Sequence, residues 1–162
     1  MSIFNIFKKN RSPAKGTAKS IDYEEQIKMF DRELAADPNS AGHMFLKAHC
    51  LQELGRYEEA LEYYNRGLPI TPIPWTIWAL KADVLIKLKR EEEALIWLER
   101  VLEREPERID LLTNISIIHL KAGRLAESKA YCEKILKIDP QGEWAGFARI
   151  RLERIRKEQE QR

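Results

Sequence analysis

The residues best suited to chemistry are four polar side chains in the last third of the chain. Ser116, His119, Ser128 and Cys132 stand among apolar neighbours, at positions where the equivalent segments earlier in the sequence carry Ala, Leu, Ala and an aromatic or Leu. A helix-pair arrangement brings His119 towards Cys132, and an imidazole beside a thiol is the raw material of an activated nucleophile. Such a pair also needs an open cleft and an oxyanion hole. No Gly-rich loop or nest accompanies it, and the reading that fits the neighbourhood is a small polar network held between helices, each group hydrogen-bonded. Two soft ligands fall short of the three or four of a zinc site. His43 and His49 have no third partner at helical spacing and read as surface histidines. No phosphate-binding glycine loop, His-Glu-x-x-His or paired-Cys motif occurs. The expectation is therefore a chain with no catalytic residues, no metal and no cofactor.

Positioning falls to a repeat. Pro38, Pro72, Pro106 and Pro140 are 34 residues apart, as are Leu34, Leu68, Leu102 and Leu136. Ala48, Ala82 and Ser116 keep the same step, and so do Ala60, Ala94 and Ser128. Each period reads as two helices. Met44, Ala48 and Leu51 fall on one face of a helix over 41–54, and Trp78, Ala82 and Leu85 repeat that face. Gly55 ends this first helix, glycine being free to adopt the left-handed conformation. The second helix, from Tyr57 to about Leu68, buries Ala60, Leu61, Tyr64 and Leu68, and its counterpart buries Ala94, Leu95, Leu98, Val101 and Leu102. Small residues facing one another let the two helices approach closely. The recurring proline stops the second helix and stiffens the turn into the next repeat. Gly67 and Pro69 predict an early end to the second helix of the first repeat.

These residues, with Leu-Gly-Arg-Tyr-Glu-Glu-Ala at 54–60 and Ala-Gly-Arg-Leu-Ala-Glu-Ser at 122–128, resemble the tetratricopeptide repeat (TPR) family. The resemblance implies an all-α fold, a right-handed α-solenoid of helix–turn–helix repeats. Residues 21–142 are the expected repeat domain, with a half repeat at 21–40, built on Tyr23, Ile27, Phe30 and Leu34, and full repeats at 41–74, 75–108 and 109–142. A C-terminal capping helix at 143–162 follows, with Trp144, Phe147, Ala148, Leu152 and Ile155 on one face. Residues 1–20 read as a disordered basic tail. Lys47 and Lys81 occupy a slot where the family has an aliphatic residue, which Ile115 keeps. Their stems are expected to pack while the ammonium reaches water or a nearby Glu.

What the resemblance implies about function is binding, through a concave surface formed by the first helices: Phe45, His49 and Gln52, then Ala79, Asp83 and Ile86, then Thr113, Ile117 and Leu120. A peptide or helix of a partner would bury the apolar members of that surface. The chain's own tail and a second copy are the competing occupants. The two-carboxylate clamp that some family members use for acidic chaperone tails does not match. Its Lys, Asn and Arg positions hold Phe45, His49, Leu80, Asp110 and Asn114 here, and a register one repeat further on matches only Asn114, beside Ala79, Asp83, Trp144 and Ala148. Such a ligand would lack a charge-assisted partner for its carboxylate.

Composition agrees with a protein or peptide partner. The 162 residues carry a formal net charge of +2. The first 20 hold Lys8, Lys9, Arg11, Lys15 and Lys19 and no acid, so the rest of the chain is −3. An acidic repeat body argues against nucleic acid, which needs a basic face to displace counterions. The cations of the final helix, Arg149, Arg151, Arg154, Arg156 and Lys157, read as a solvated face interleaved with Glu153 and Glu158. Two cysteines far apart point to a reducing compartment, so the expected location is cytoplasmic. The longest uncharged run, Gly67 to Leu80, contains Pro69, Pro72 and Pro74 and does not read as a membrane span. The alternative function is a membrane-surface tether through residues 1–19, whose Ile3, Phe4, Ile6 and Phe7 would share one helix face followed by cations. Against it, a helix so short is unstable alone in water.

Overall fold

The computed structural model describes residues 22–161, and every regular element among them is helical. The helices are α1 (Tyr23–Ala36), α2 (Ala41–Glu53), α3 (Tyr57–Gly67), α4 (Pro74–Lys87), α5 (Glu91–Leu102), α6 (Ile109–Lys121), α7 (Leu125–Ile138) and α8 (Glu143–Glu160). The expected tail and its proposed lipid contact lie outside the described residues.

Local chemistry sets the boundaries. Asp22 caps α1, its carboxylate accepting from the Glu25 amide at 3.1 Å. Pro74 opens α4, where its missing N–H is not needed. Gly55 and Gly123 turn with φ of 76° and 74°, and Lys89, at the same slot of the intervening repeat, adopts 63°. The left-handed turn is thus a property of the repeat, and a lysine takes it at a steric cost that glycine avoids.

The second helix of the first repeat ends at Gly67, the early stop that Gly67 and Pro69 predict, although Gly67 itself is not a sharp break. It keeps helical φ and ψ of −78° and −27°, and a short 3₁₀ turn, Leu68–Ile70, continues beyond it. Its role is spatial: a Cβ there would overlap the Phe45 ring. That ring also lies 6.4 Å from the ring of Tyr64, which is fully buried. Pro69 is accommodated in the first turn of the 3₁₀ segment, where no helical amide is lost.

The described residues fall into two compact units, one up to Lys89 and one from Arg90 onward. In the first, α1 packs on α2, α2 on α3 and α3 on α4. Its core is Ile27, Phe30, Met44, Ala48, Leu51, Ala60, Leu61 and Tyr64, joined by Ile77, Ala82, Val84 and Leu85 of α4. In the second, α5 packs on α6, α6 on α7 and α7 on α8. There Leu112, Cys132, Ile135 and Ala148 form a buried cluster, with Leu102, Tyr131, Trp144 and Leu152 against it. The expected small slots are sealed, since Ala48, Ala60, Ala82, Ala94, Ser116 and Ser128 are all inaccessible to solvent. One residue of the expected capping face is misplaced: Phe147 is 50% exposed, while Ala148 and Ile155 are buried.

Candidate functional site

In the first unit, α2 and α4 bring part of the predicted surface together. Gln52 Nε2 donates to Asp83 Oδ2 at 2.8 Å, a direct link between these two first helices. The Gln52 carbonyl oxygen in turn accepts from the Tyr64 hydroxyl at 3.1 Å. Burial first, then the Asp83 carboxylate, pushes that phenol far above its ordinary pKa, so it stays a donor. On the same two helices Phe45, His49 and Ile86 are half-buried, and Ala79 is buried at 5% exposure. His49 Nε2 stands 3.9 Å from Glu53 Oε1, one turn along α2. In the second unit, Ile117 and Leu120 are half-buried on α6, and Thr113 is buried with its hydroxyl oxygen lacking a hydrogen-bond partner among the described residues.

The buried lysine of the first unit has found different company from that expected. Lys47 is buried, and its direct partners are an aspartate and a tyrosine rather than a glutamate. Its ammonium pairs with Asp31 of α1, donates to the Tyr63 hydroxyl at 2.7 Å and lies 4.2 Å from that ring's centroid. Burial is the largest influence on its pKa and lowers it, but Asp31 and Tyr63 together outweigh it, leaving the group above its ordinary value. A lysine in an aliphatic slot thereby ties α1 to α2 and α3.

Three of the four polar residues of the third repeat, Ser116, Ser128 and Cys132, form a network, and the fourth, His119, has other partners. The Ser116 hydroxyl donates to Thr113 O at 2.8 Å, and the Ser128 hydroxyl to Ser116 O at 2.8 Å. The third participant comes from α8: Arg151 Nη1 donates to Ser116 Oγ at 3.0 Å and lies 3.8 Å from Cys132 Sγ. Arg151 is therefore not part of a solvated face, as the sequence had suggested. His119 turns away from the thiol. Its ring stacks on Tyr131 with centroids 5.6 Å apart, and its Nδ1 accepts from Arg124 Nε at 2.8 Å. Burial, then the Arg124 charge, lowers the imidazole pKa, so the ring is neutral with its proton on Nε2. No hydrogen bond joins His119 to Cys132, and the Cys–His nucleophile does not form. The other cysteine, Cys50, is also buried, with its thiol pushed up to about 11 by burial.

Sequence reasoning overlooked Arg124, although its series was visible. Arg56, Arg90 and Arg124 are 34 residues apart. Arg56 and Arg90 each hold the glutamate three residues on, with shortest contacts of 2.6 Å to Glu59 and Glu93. Arg124 instead serves His119 and, at 2.8 Å, Glu92 of α5. The polar residue in a leucine slot was the signal that this arginine would be recruited.

Two family models match the chain. One, described as anaphase-promoting complex, cyclosome, subunit 3, spans residues 19–101, and one described as tetratricopeptide repeat spans residues 109–141. No curated protein matches in sequence. Among solved structures, YrrB, described as a TPR protein with an unusual peptide-binding site, is 18% identical with a TM-score of 0.74, covering 86% of this chain and 71% of that one. MamA from residue 41 onward, from Desulfovibrio magneticus RS-1, is 20% identical with a TM-score of 0.71, over 83% of this chain and 80% of that one. A tetratricopeptide repeat protein from Parabacteroides merdae ATCC 43184 is 19% identical with a TM-score of 0.73, over 84% and 60%. At such identities these structures speak for the fold, an all-α solenoid of paired helices. No described helix is long and apolar enough to cross a membrane. With the 34-residue step, the paired helices and both sequence models in agreement, this chain belongs to the tetratricopeptide repeat family.

Proposed function

We propose that the protein is a non-catalytic scaffold that receives a peptide or helix of another protein on the faces of its first helices. The observation that carries this reading is the Gln52–Asp83 hydrogen bond, which joins α2 to α4, the two helices on which Phe45, His49 and Ile86 stay partly exposed. A partner's apolar side chain placed there would be desolvated against Phe45 and Ile86, and the amide–carboxylate pair would set its register. On α6, Ile117 and Leu120 offer the same kind of contact. The family consists of interaction modules, and the peptide site reported for YrrB is a precedent for the class of ligand.

The test is comparative capture. The immobilised chain is exposed to a cell lysate alongside Ile86→Glu and Ile117→Glu, with circular dichroism as a control for folding. A protein held by the parent chain and lost from either folded variant supports the reading. A captured protein indifferent to both substitutions moves the binding surface elsewhere.

A further inference from the structure

The repeat leaves one helix unpaired at each end of the described chain. In the third repeat the contact between the two small slots is explicit, since Ser128 Oγ donates to Ser116 O. Both series run on by 34 residues. Forward from Ser116 the step lands on Ile150 of α8, which is 71% exposed. Backward from Ala60 it lands on Gln26 of α1, also exposed. By register, α8 is a first helix and α1 a second helix, and neither has its pairing partner among the described residues. Both faces carry large apolar side chains in the open, Phe147 and Ile150 on α8 and Met29 on α1. A repeat helix left with such a face has not buried what its neighbours bury.

We propose that α1 of one copy docks on the Phe147–Ile150 face of α8 of a second copy, completing one repeat across two molecules. The charges around the two apolar centres favour this occupant. Met29 is flanked one turn either way by Glu25 and Glu33, whereas Ile150 has Arg149 beside it and Arg154 one turn on. Over its length α1 carries four acids and two bases, and α8 four acids and five bases. Glu153 is engaged by Arg156 at 2.8 Å, while the rim cations themselves make only exposed contacts among the described residues, Arg154 to Glu158 at 2.7 Å and Arg149 to Pro140 O at 2.6 Å. Present pairings of the rim charges, such as Glu25–Lys28 at 3.6 Å, are exposed and cost little to exchange. Because Ile150 and Gln26 are larger than the alanines or serines of an internal pair, the two helices meet at a wider spacing. The contact is heterologous: α1 and α8 are different surfaces, so every copy offers both.

Sedimentation velocity of the full 162-residue chain over a concentration series tests this. The parent chain is expected to grow heavier with concentration, and less so at high salt. Met29→Lys, which opposes the arginine rim, and Ile150→Glu, which opposes the acidic rim, should each weaken association by about tenfold or more. An equimolar mixture of the two should recover a dimer that grows no further, because one variant retains a working α1 and the other a working α8. Should either lose helicity, Glu33→Lys and Arg154→Glu take their place with the same expectation. A parent chain that stays monomeric overturns the proposal, as do single variants that still dimerise or a mixture no heavier than its components. Association seen only in a version starting at Ile21 would assign the α1 face to the chain's own first residues, and would overturn it equally. Ile86 and Ile117 are not involved, so this result is independent of partner capture.

Discussion

The helix pair α2–α3 in the first unit and the pair α6–α7 in the second occupy the same slots of one repeat, yet they are held by different means. In the first pair alanine faces alanine at Ala48 and Ala60, Leu51 fills the slot below and the one buried charge, Lys47, is tied to Asp31 and Tyr63. In the second pair those slots are Ser116, Ser128 and His119, the lysine slot is Ile115, and the charge comes from outside as Arg151 of α8. A repeat therefore specifies volumes and spacing rather than chemistry. Polar groups are admitted wherever a neighbouring helix supplies a partner.

The largest expected effect separates the two by packing. Ala48→Leu inserts methylenes at a closed helix crossing and should cost roughly 1–3 kcal/mol. Ser116→Ala leaves the crossing intact and removes only the hydroxyl shared with Arg151, at about 1 kcal/mol. Chemical denaturation of both variants checks the order, and a reversal would mean that the serine network rather than close approach holds the repeat. Next comes the lysine. Asp31→Ala leaves the buried Lys47 ammonium with only Tyr63 and should cost about 1–2 kcal/mol, less than a fully buried pair because Asp31 is itself half exposed. Lys47→Met in the same background should recover much of that loss.

The turn preceding each second helix gives a smaller effect of opposite sign. Gly123→Ala should destabilise by about 1 kcal/mol, and Lys89→Gly should stabilise by a similar amount, since both positions require left-handed backbone. Thermal unfolding of the two variants compares them directly.

The smallest effect is on pH. His119 is held below its ordinary pKa by burial and by Arg124, so the unfolded chain takes up the proton more readily than the folded one. Its contribution to stability is present above the unfolded value near 6.5 and is lost as pH falls towards the lower folded value. His119→Leu, which restores the residue found at Leu51 and Leu85, should flatten the fall in melting temperature between pH 7.5 and pH 5.5. An unchanged slope would place the acid sensitivity elsewhere.

The repeat body was legible in the sequence down to single residues. Recurrence of Pro, Leu and small residues at one step needs no partner to be recognised, because sterics at a helix crossing act on residue size, and the turn acts on backbone conformation. The first-helix surface came from the family resemblance, and the Gln52–Asp83 bond brings two of its expected members together. What the sequence alone could not decide was the choice of partners. Lys47 could have met water or any acid within reach, and His119 could have met Cys132. The outcome followed from which side chains the fold set beside each, Asp31 and Tyr63 for the first, Arg124 and Tyr131 for the second. A period encodes which positions are sealed, for sealing is local and repeats with the helix. Which polar atoms meet inside depends on rotamers and on residues of neighbouring helices that carry no periodic mark, so Arg151 reads as a solvated cation until the tertiary fold turns it onto Ser116.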